Sequence, residues 1–139
     1  MIEAQRVASL IYDLLKADTG VGGVNTLTGG RIYRDRVPQA SALPAITITL
    51  VSSVPTNTMG GNRVAQNVLV DVRIVNDGAV YSNAIADRVD AVLQNAGGSK
   101  ESVRVVELVQ DAVQAFIEDD AGKSYAHIIA TYRTPAYAT

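Results

Sequence analysis

Between Ala45 and Asn76 the chain carries two runs in which large apolar and polar residues alternate, and a period of two leaves the backbone little choice but extended structure. In the first run, Ala45 to Ser53, Ile46, Ile48 and Leu50 alternate with Thr47 and Thr49. In the second, about Val64 to Asn76, Val68, Val70, Val72 and Ile74 share one face, while Asn67, Asp71 and Arg73 share the other. Each run is longer than a typical strand of about 5–6 residues. The segment between them, Pro55 to Asn62, is polar and glycine-rich. The pair predicts a long antiparallel hairpin that projects beyond the core, with Met59 and its neighbours forming a mobile tip in the free subunit.

The flanking segments have a different period. From Glu3 to Lys16, Val7, Leu10, Ile11, Leu14 and Leu15 recur at helical spacing, with Arg6, Ser9, Asp13 and Lys16 opposite. Asp18-Thr19-Gly20 ends this helix, and the glycines from Gly20 to Gly30 predict a mobile loop. A short extended piece, Arg31-Ile32-Tyr33, precedes a turn-prone stretch reaching Pro38 and Pro44. Tyr81, Ile85, Val89, Val92 and Leu93 predict a second helix, about Val80 to Asn95. Residues 103–113 fit strand or helix by spacing. Strand is favoured because β-branched residues dominate and the chain closes with a hairpin pattern: Ala115 to Glu118, a turn over Asp119 to Lys123, then Tyr125 to Arg133, with Pro135 ending the strand. The order helix, strands, helix, strands predicts an α+β fold: a mostly antiparallel sheet with two helices packed on one face.

At 139 residues the chain is sized for one domain spanning 1–139 with a real core. It has no cysteine, so disulfides, thiolate metal sites and thiol nucleophiles are excluded. The N-terminus lacks the order of a signal peptide, and no apolar run approaches a membrane span, which predicts a soluble protein made in the cytoplasm without membrane contact. Charged residues make up 19% against about 25% in an average domain. A lightly charged surface fits either a polar Thr, Ser, Asn and Gln coat or a face covered by partners. A net charge of −2 and a pI near 5.2 argue against non-specific nucleic-acid binding, which needs a basic face.

Catalytic patterns fail on inspection. Gly122-Lys123-Ser124 ends like a phosphate loop, but Ile117 stands where the earlier glycine is required and a strand follows. Gly20 and Gly22 begin a dinucleotide spacing that Asn25 breaks, after a helix where a strand is needed. His127 is the single histidine, so histidine metal clusters and Ser-His or Cys-His pairs lack a second member, and a solvent- or interface-facing strand residue is the favoured reading. Glu118, Asp119 and Asp120 read as a solvated turn, since consecutive carboxylates diverge. Arg31, Arg34 and Arg36 form a local basic patch around Asp35. No catalytic, cofactor or metal residue is assigned, and the expectation is a protein that is not an enzyme.

Gly30-Arg31-Ile32-Tyr33, then Val37-Pro38-Gln39, then Leu43-Pro44-Ala45-Ile46, resembles a recurring segment of the tail terminator (tail completion) proteins of long-tailed bacteriophages. Leu14-Leu15-Lys16-Ala17-Asp18 before it and Ile85-Ala86-Asp87-Arg88-Val89 after it are similar to that family's helices, so the likeness spans about Val7 to Leu93. Pro38 and Pro44 also serve a structural end, holding Val37 and Leu43 extended as the chain enters the sheet. The resemblance implies a ring, usually a hexamer, that caps the tail tube, ends its polymerisation and meets the head connector at the head-proximal end of the tail. Implied partners are other copies of the chain, the tail tube protein and the head-tail connector, with DNA only passing through. Arg34, Arg36, Thr58, Met59, Gly60 and Arg63 are the expected interface residues, and Glu118, Asp119 and Asp120 the expected channel carboxylates. Another head-to-tail joint protein, a stopper or tube subunit, is the nearest alternative. A small intracellular ligand-binding domain is the alternative from a different class.

Overall fold

The computed structural model describes residues 2–38, 42–57, 59–60, 63–77 and 79–138, without the side chains of 2, 3, 57, 63, 64, 79, 80 and 138. The elements in chain order are α1 (Ile2–Ala17), α2 (Val24–Leu27), β1 (Ile32–Arg34), β2 (Ala45–Asn57), β3 (Arg63–Asn76), α3 (Ala79–Leu93), β4 (Gly98–Lys100), β5 (Val103–Val105), β6 (Val109–Asp120) and β7 (Lys123–Ala138). They build one sheet in the order β1-β2-β3-β7-β5-β4, with β6 also against β7. Only β1 and β2 are parallel; every other pair is antiparallel. The expected α+β architecture is the one found.

Alternation places the core. Ile46 and Ile48 of β2, Val68, Val70, Val72 and Ile74 of β3, and Ile128, Ala130 and Tyr132 of β7 are all buried. Against them lie Val7, Ala8, Ile11 and Leu15 of α1 and Ile85, Val89 and Leu93 of α3. Burying each large aliphatic side chain contributes about 1.5–3 kcal/mol, so the two amphipathic stripes suffice to hold the helices on this face. Cross-strand pairing also aligns residues across the whole sheet: Ile32, Ile46, Ile74, Ile128 and Ala115 form one row, and Arg34, Ile48, Val72, Ala130 and Val113 form another.

Three expectations need correction. The glycine-rich stretch after α1 contains the helical turn α2 and is tied down at several points. Asp18 accepts two bonds from the Arg88 guanidinium, both 2.8 Å, and one from the Val24 N–H at 2.9 Å. The Arg88 hydrogen bond holds its carboxyl below the usual carboxylate range, against the opposing effect of desolvation. Lys16 Nζ donates to the Gly30 carbonyl at 2.8 Å, and Asn25 Nδ2 to that of Lys16 at 3.0 Å. Gly23 is required here, because a Cβ would lie 2.4 Å from the Asp18 carbonyl oxygen.

Secondly, the last strand does not end at Pro135 but continues to Ala138. β7 pairs with β6 up to Arg133 and with β5 from Ala136, so on that flank Thr134 and Pro135 face a gap, where a residue without N–H is tolerated. Residues 106–108 occupy the gap. Buried Leu108 exchanges backbone hydrogen bonds with Asn95 and Ala96, each 2.8 Å, and Thr134 Oγ1 donates to the Glu107 carbonyl at 2.7 Å. Residues 103–105 and 109–113 are strand, as favoured from composition. Thirdly, His127 is buried, not turned to solvent.

The long hairpin pairs from Ala45 with Val75 out to Asn57 with Arg63, and β3 remains paired with β7 as far as Gln66. At the opposite end of the sheet the β6–β7 hairpin overruns β3, whose last partner is Ala126.

Candidate assembly surface

β6 is the most exposed strand of the sheet. Its Val113, Ala115 and Ile117 lie opposite Ala130, Ile128 and Ala126, on the side that carries the helices. The helices pack over β2, β3 and β7, so Val113 stays 52% and Ile117 68% exposed. Beside Asn83 of α3 this leaves a shallow, mainly apolar depression of about 320 Å³ that reaches down to Ile128. Among the described residues β6 pairs on one side only, with β7.

On the other face, Phe116 stacks on His127, with ring centroids 4.7 Å apart and planes 6° from parallel. His127 is 7% exposed, and among the described residues neither ring nitrogen has a hydrogen-bond partner. Glu118 Oε2 lies 3.5 Å from its Nε2. Burial pushes the imidazole below the ordinary histidine range; Glu118 opposes that shift and Arg73 adds to it. Val37, Pro38 and Leu43 border the same region from the loop that leads into β2.

The expected site residues fall in three places. Glu118, Asp119 and Asp120 are exposed at the end of the β6–β7 hairpin, where Ala121 and Gly122 form a two-residue turn with positive φ at both positions. Asp119 accepts a bond from Ser124 Oγ at 2.5 Å. Arg34 is committed within the chain, its guanidinium donating to Ser9 Oγ at 2.9 Å and Gln5 Oε1 at 3.0 Å on α1, whereas Arg36 is exposed. Met59 and Gly60 are exposed between β2 and β3; Thr58 and the Arg63 side chain lie outside the described residues. The Met59 loop lies at the end of the sheet opposite the carboxylates, whereas Val37 and Pro38, next to Arg36, line the same depression as Glu118 and Asp120. Sequence reasoning missed the exposed Val113, Phe116 and Ile117. The available signal was the uncharged run Ala112 to Ile117 in the closing hairpin, but its spacing also fitted a buried helix stripe.

Fold and surface together define a class: a small sheet-and-helix module whose outward chemistry is a bare strand edge, an apolar strip and a charged hairpin end, suited to binding other proteins. Residues 9–135 match the family described as tail completion protein gp17, and the chain belongs to that family. It is a structural protein of the bacteriophage virion with a role in tail completion. No curated protein matches significantly. Among solved structures, one titled virion of native gene transfer agent (GTA) particle superimposes with TM-score 0.74 at 18% identity, covering 97% of each chain. A second superimposes with TM-score 0.56 at 12% identity, covering 94% of this chain and 91% of the other. At such identities the likeness is one of fold.

Proposed function

We propose that the protein closes into a ring, a hexamer, that caps the head-proximal end of the tail tube, ends tube polymerisation and receives the head connector. The observation that carries this reading is the family match over nearly the whole chain, and the likeness in fold to a chain of a virion particle supports it. The end of the β2–β3 hairpin, where Met59 and Gly60 are exposed, is the arm reaching a neighbouring subunit or the tube; Thr58 and Arg63 are assigned to the same contact, and the arginines Arg34 and Arg36 to contacts between proteins.

Six copies carry a formal charge of −12, six times −2. DNA passing the channel meets least resistance from carboxylates, because a basic lining would hold phosphate. Glu118, Asp119 and Asp120 are the residues proposed to face it. Light scattering coupled to gel filtration, with negative-stain imaging, tests the ring: the expected particle is about 88 kDa, six times 14.7 kDa. A strictly monomeric chain, even when concentrated and mixed with tail tubes, would sink the ring. A lumen lined mainly by arginine and lysine would sink the charge argument.

A further inference from the structure

We infer that the open edge of β6 in one copy pairs with the opposite sheet edge, β1, of the next copy, so that the sheets run on from subunit to subunit; the inference rests on the ring reading above. It starts from a strand edge whose central run carries none of the usual protection. β6 is 12 residues long, is paired on one side only among the described residues, and has no charge, proline or glycine from Ala112 to Ile117. Soluble domains blunt such edges with lysine, proline or brevity, because free N–H and C=O groups beside apolar side chains recruit another strand. The far side of this sheet is treated differently: beyond the stretch that β1 covers, β2 carries Pro55. An edge left bare on one side only fits a strand that is covered in the working assembly.

Charge selects the occupant. If two copies paired β6 with β6 about the middle of the uncharged run, Asp111 of each would stand opposite Glu118 of the other. Like charges then repel at both ends, and the two-fold contact closes at a dimer. The β1 side instead offers a cation, Arg36, since Arg34 is held by Ser9 and Gln5. Arg34 ends the strand, and Arg36 two residues on is exposed, with no side-chain partner among the described residues.

Register agrees with this choice. Counting strand directions across the sheet, β1 and β6 run oppositely, so abutting edges pair antiparallel. An unstaggered abutment continues the rows already described. It brings Ile32 towards Ala115 and Arg34 towards Val113 of the neighbour; the chain turns at Asp35 (φ 72), so Arg36 stands outside the row and meets Asp111 of the neighbour from that turn. Asp111 sits at the irregularity in β6, 3.4 Å from Arg133, with both side chains about half exposed, so it is open to a second cation. The hairpin carboxylates Glu118 to Asp120 lie beyond this contact and stay available to the channel. Because the two edges are different surfaces, the contact is head-to-tail and can propagate around a ring.

The test compares the full-length chain with Val113→Lys, Ile117→Lys, Arg36→Glu, Asp111→Arg and the Arg36→Glu/Asp111→Arg double variant, by native mass spectrometry and sedimentation, with circular dichroism as the folding control. All four substitutions alter exposed side chains, so native folding is expected in all five variants. The two lysine variants should be folded monomers where the wild type is a ring. Each single charge reversal should weaken assembly by about fivefold per contact, and the double variant should restore it. Rings of unchanged stability in the lysine variants, or no restoration by the charge swap, would each overturn edge pairing while leaving the ring to be judged on the wild type. A wild-type chain that forms no ring overturns both.

Discussion

Replacing Tyr132 with phenylalanine isolates the polar contact that fastens α3 to the sheet. Tyr132 is fully buried in β7, and its hydroxyl donates to Asp90 Oδ1 at 3.1 Å and accepts from the Gln110 side chain. Burial first, and the Asp90 carboxylate second, push its ionisation well above the ordinary phenol range, so the O–H stays a donor at any working pH. Phenylalanine keeps the ring and opens no cavity larger than an oxygen. What is lost is one bond to a carboxylate and one acceptor for an amide. Asp90 and Gln110 both keep partial access to solvent, so the loss is about 1–2 kcal/mol and not the larger penalty of a fully orphaned group. With an unfolding entropy of about 2.1 cal/mol/K per residue, the whole chain loses about 3–7 °C in Tm. Scanning calorimetry at neutral pH measures this directly. A double-mutant cycle with Asp90→Ala should show a coupling of about 1 kcal/mol. A Tm that is unchanged or raised in Tyr132→Phe, or strict additivity in the cycle, would refute the argument that this hydrogen bond anchors the helix.

Two further outcomes follow from other parts of the molecule. His127 is held neutral by burial, so below about pH 6.5 the unfolded chain takes up a proton that the folded chain refuses. Its contribution to stability is therefore full above that pH and declines as pH falls towards the depressed folded value; urea midpoints at pH 7.5 and 5 should differ more in the wild type than in His127→Gln, and equal differences would contradict the burial argument. Deletion of residues 58–61 should leave the circular dichroism spectrum and Tm close to wild type while impairing ring formation or tail joining, and intact joining would remove the arm from the mechanism.

Much of the fold was legible because its driving force is local and periodic. Period two in 45–53 and 64–76, and helical spacing in 3–16 and 80–95, set which faces could be buried, and those faces are the buried ones apart from Tyr81, which stays exposed, and Thr47, which is buried on the opposite face. The closing hairpin was readable too, although the turn expected over Asp119 to Lys123 is the tighter Ala121-Gly122, with Asp119, Asp120 and Lys123 paired in the strands. Other features were decided only by contacts between distant segments. His127 reads as an ordinary strand residue, but Phe116 of the neighbouring strand stacks on its ring and it is buried. Pro135 signals a strand end, yet the gap between β5 and β6 lets β7 run through it. The glycines after Asp18 suggest a loose loop, but Arg88, 70 residues away, pins it. The bare edge of β6 is the clearest case. Composition shows an apolar strand and cannot show on which side it lacks a neighbour, because edge or centre is a property of strand order, and strand order is set by which long-range pairings bury the most surface at once.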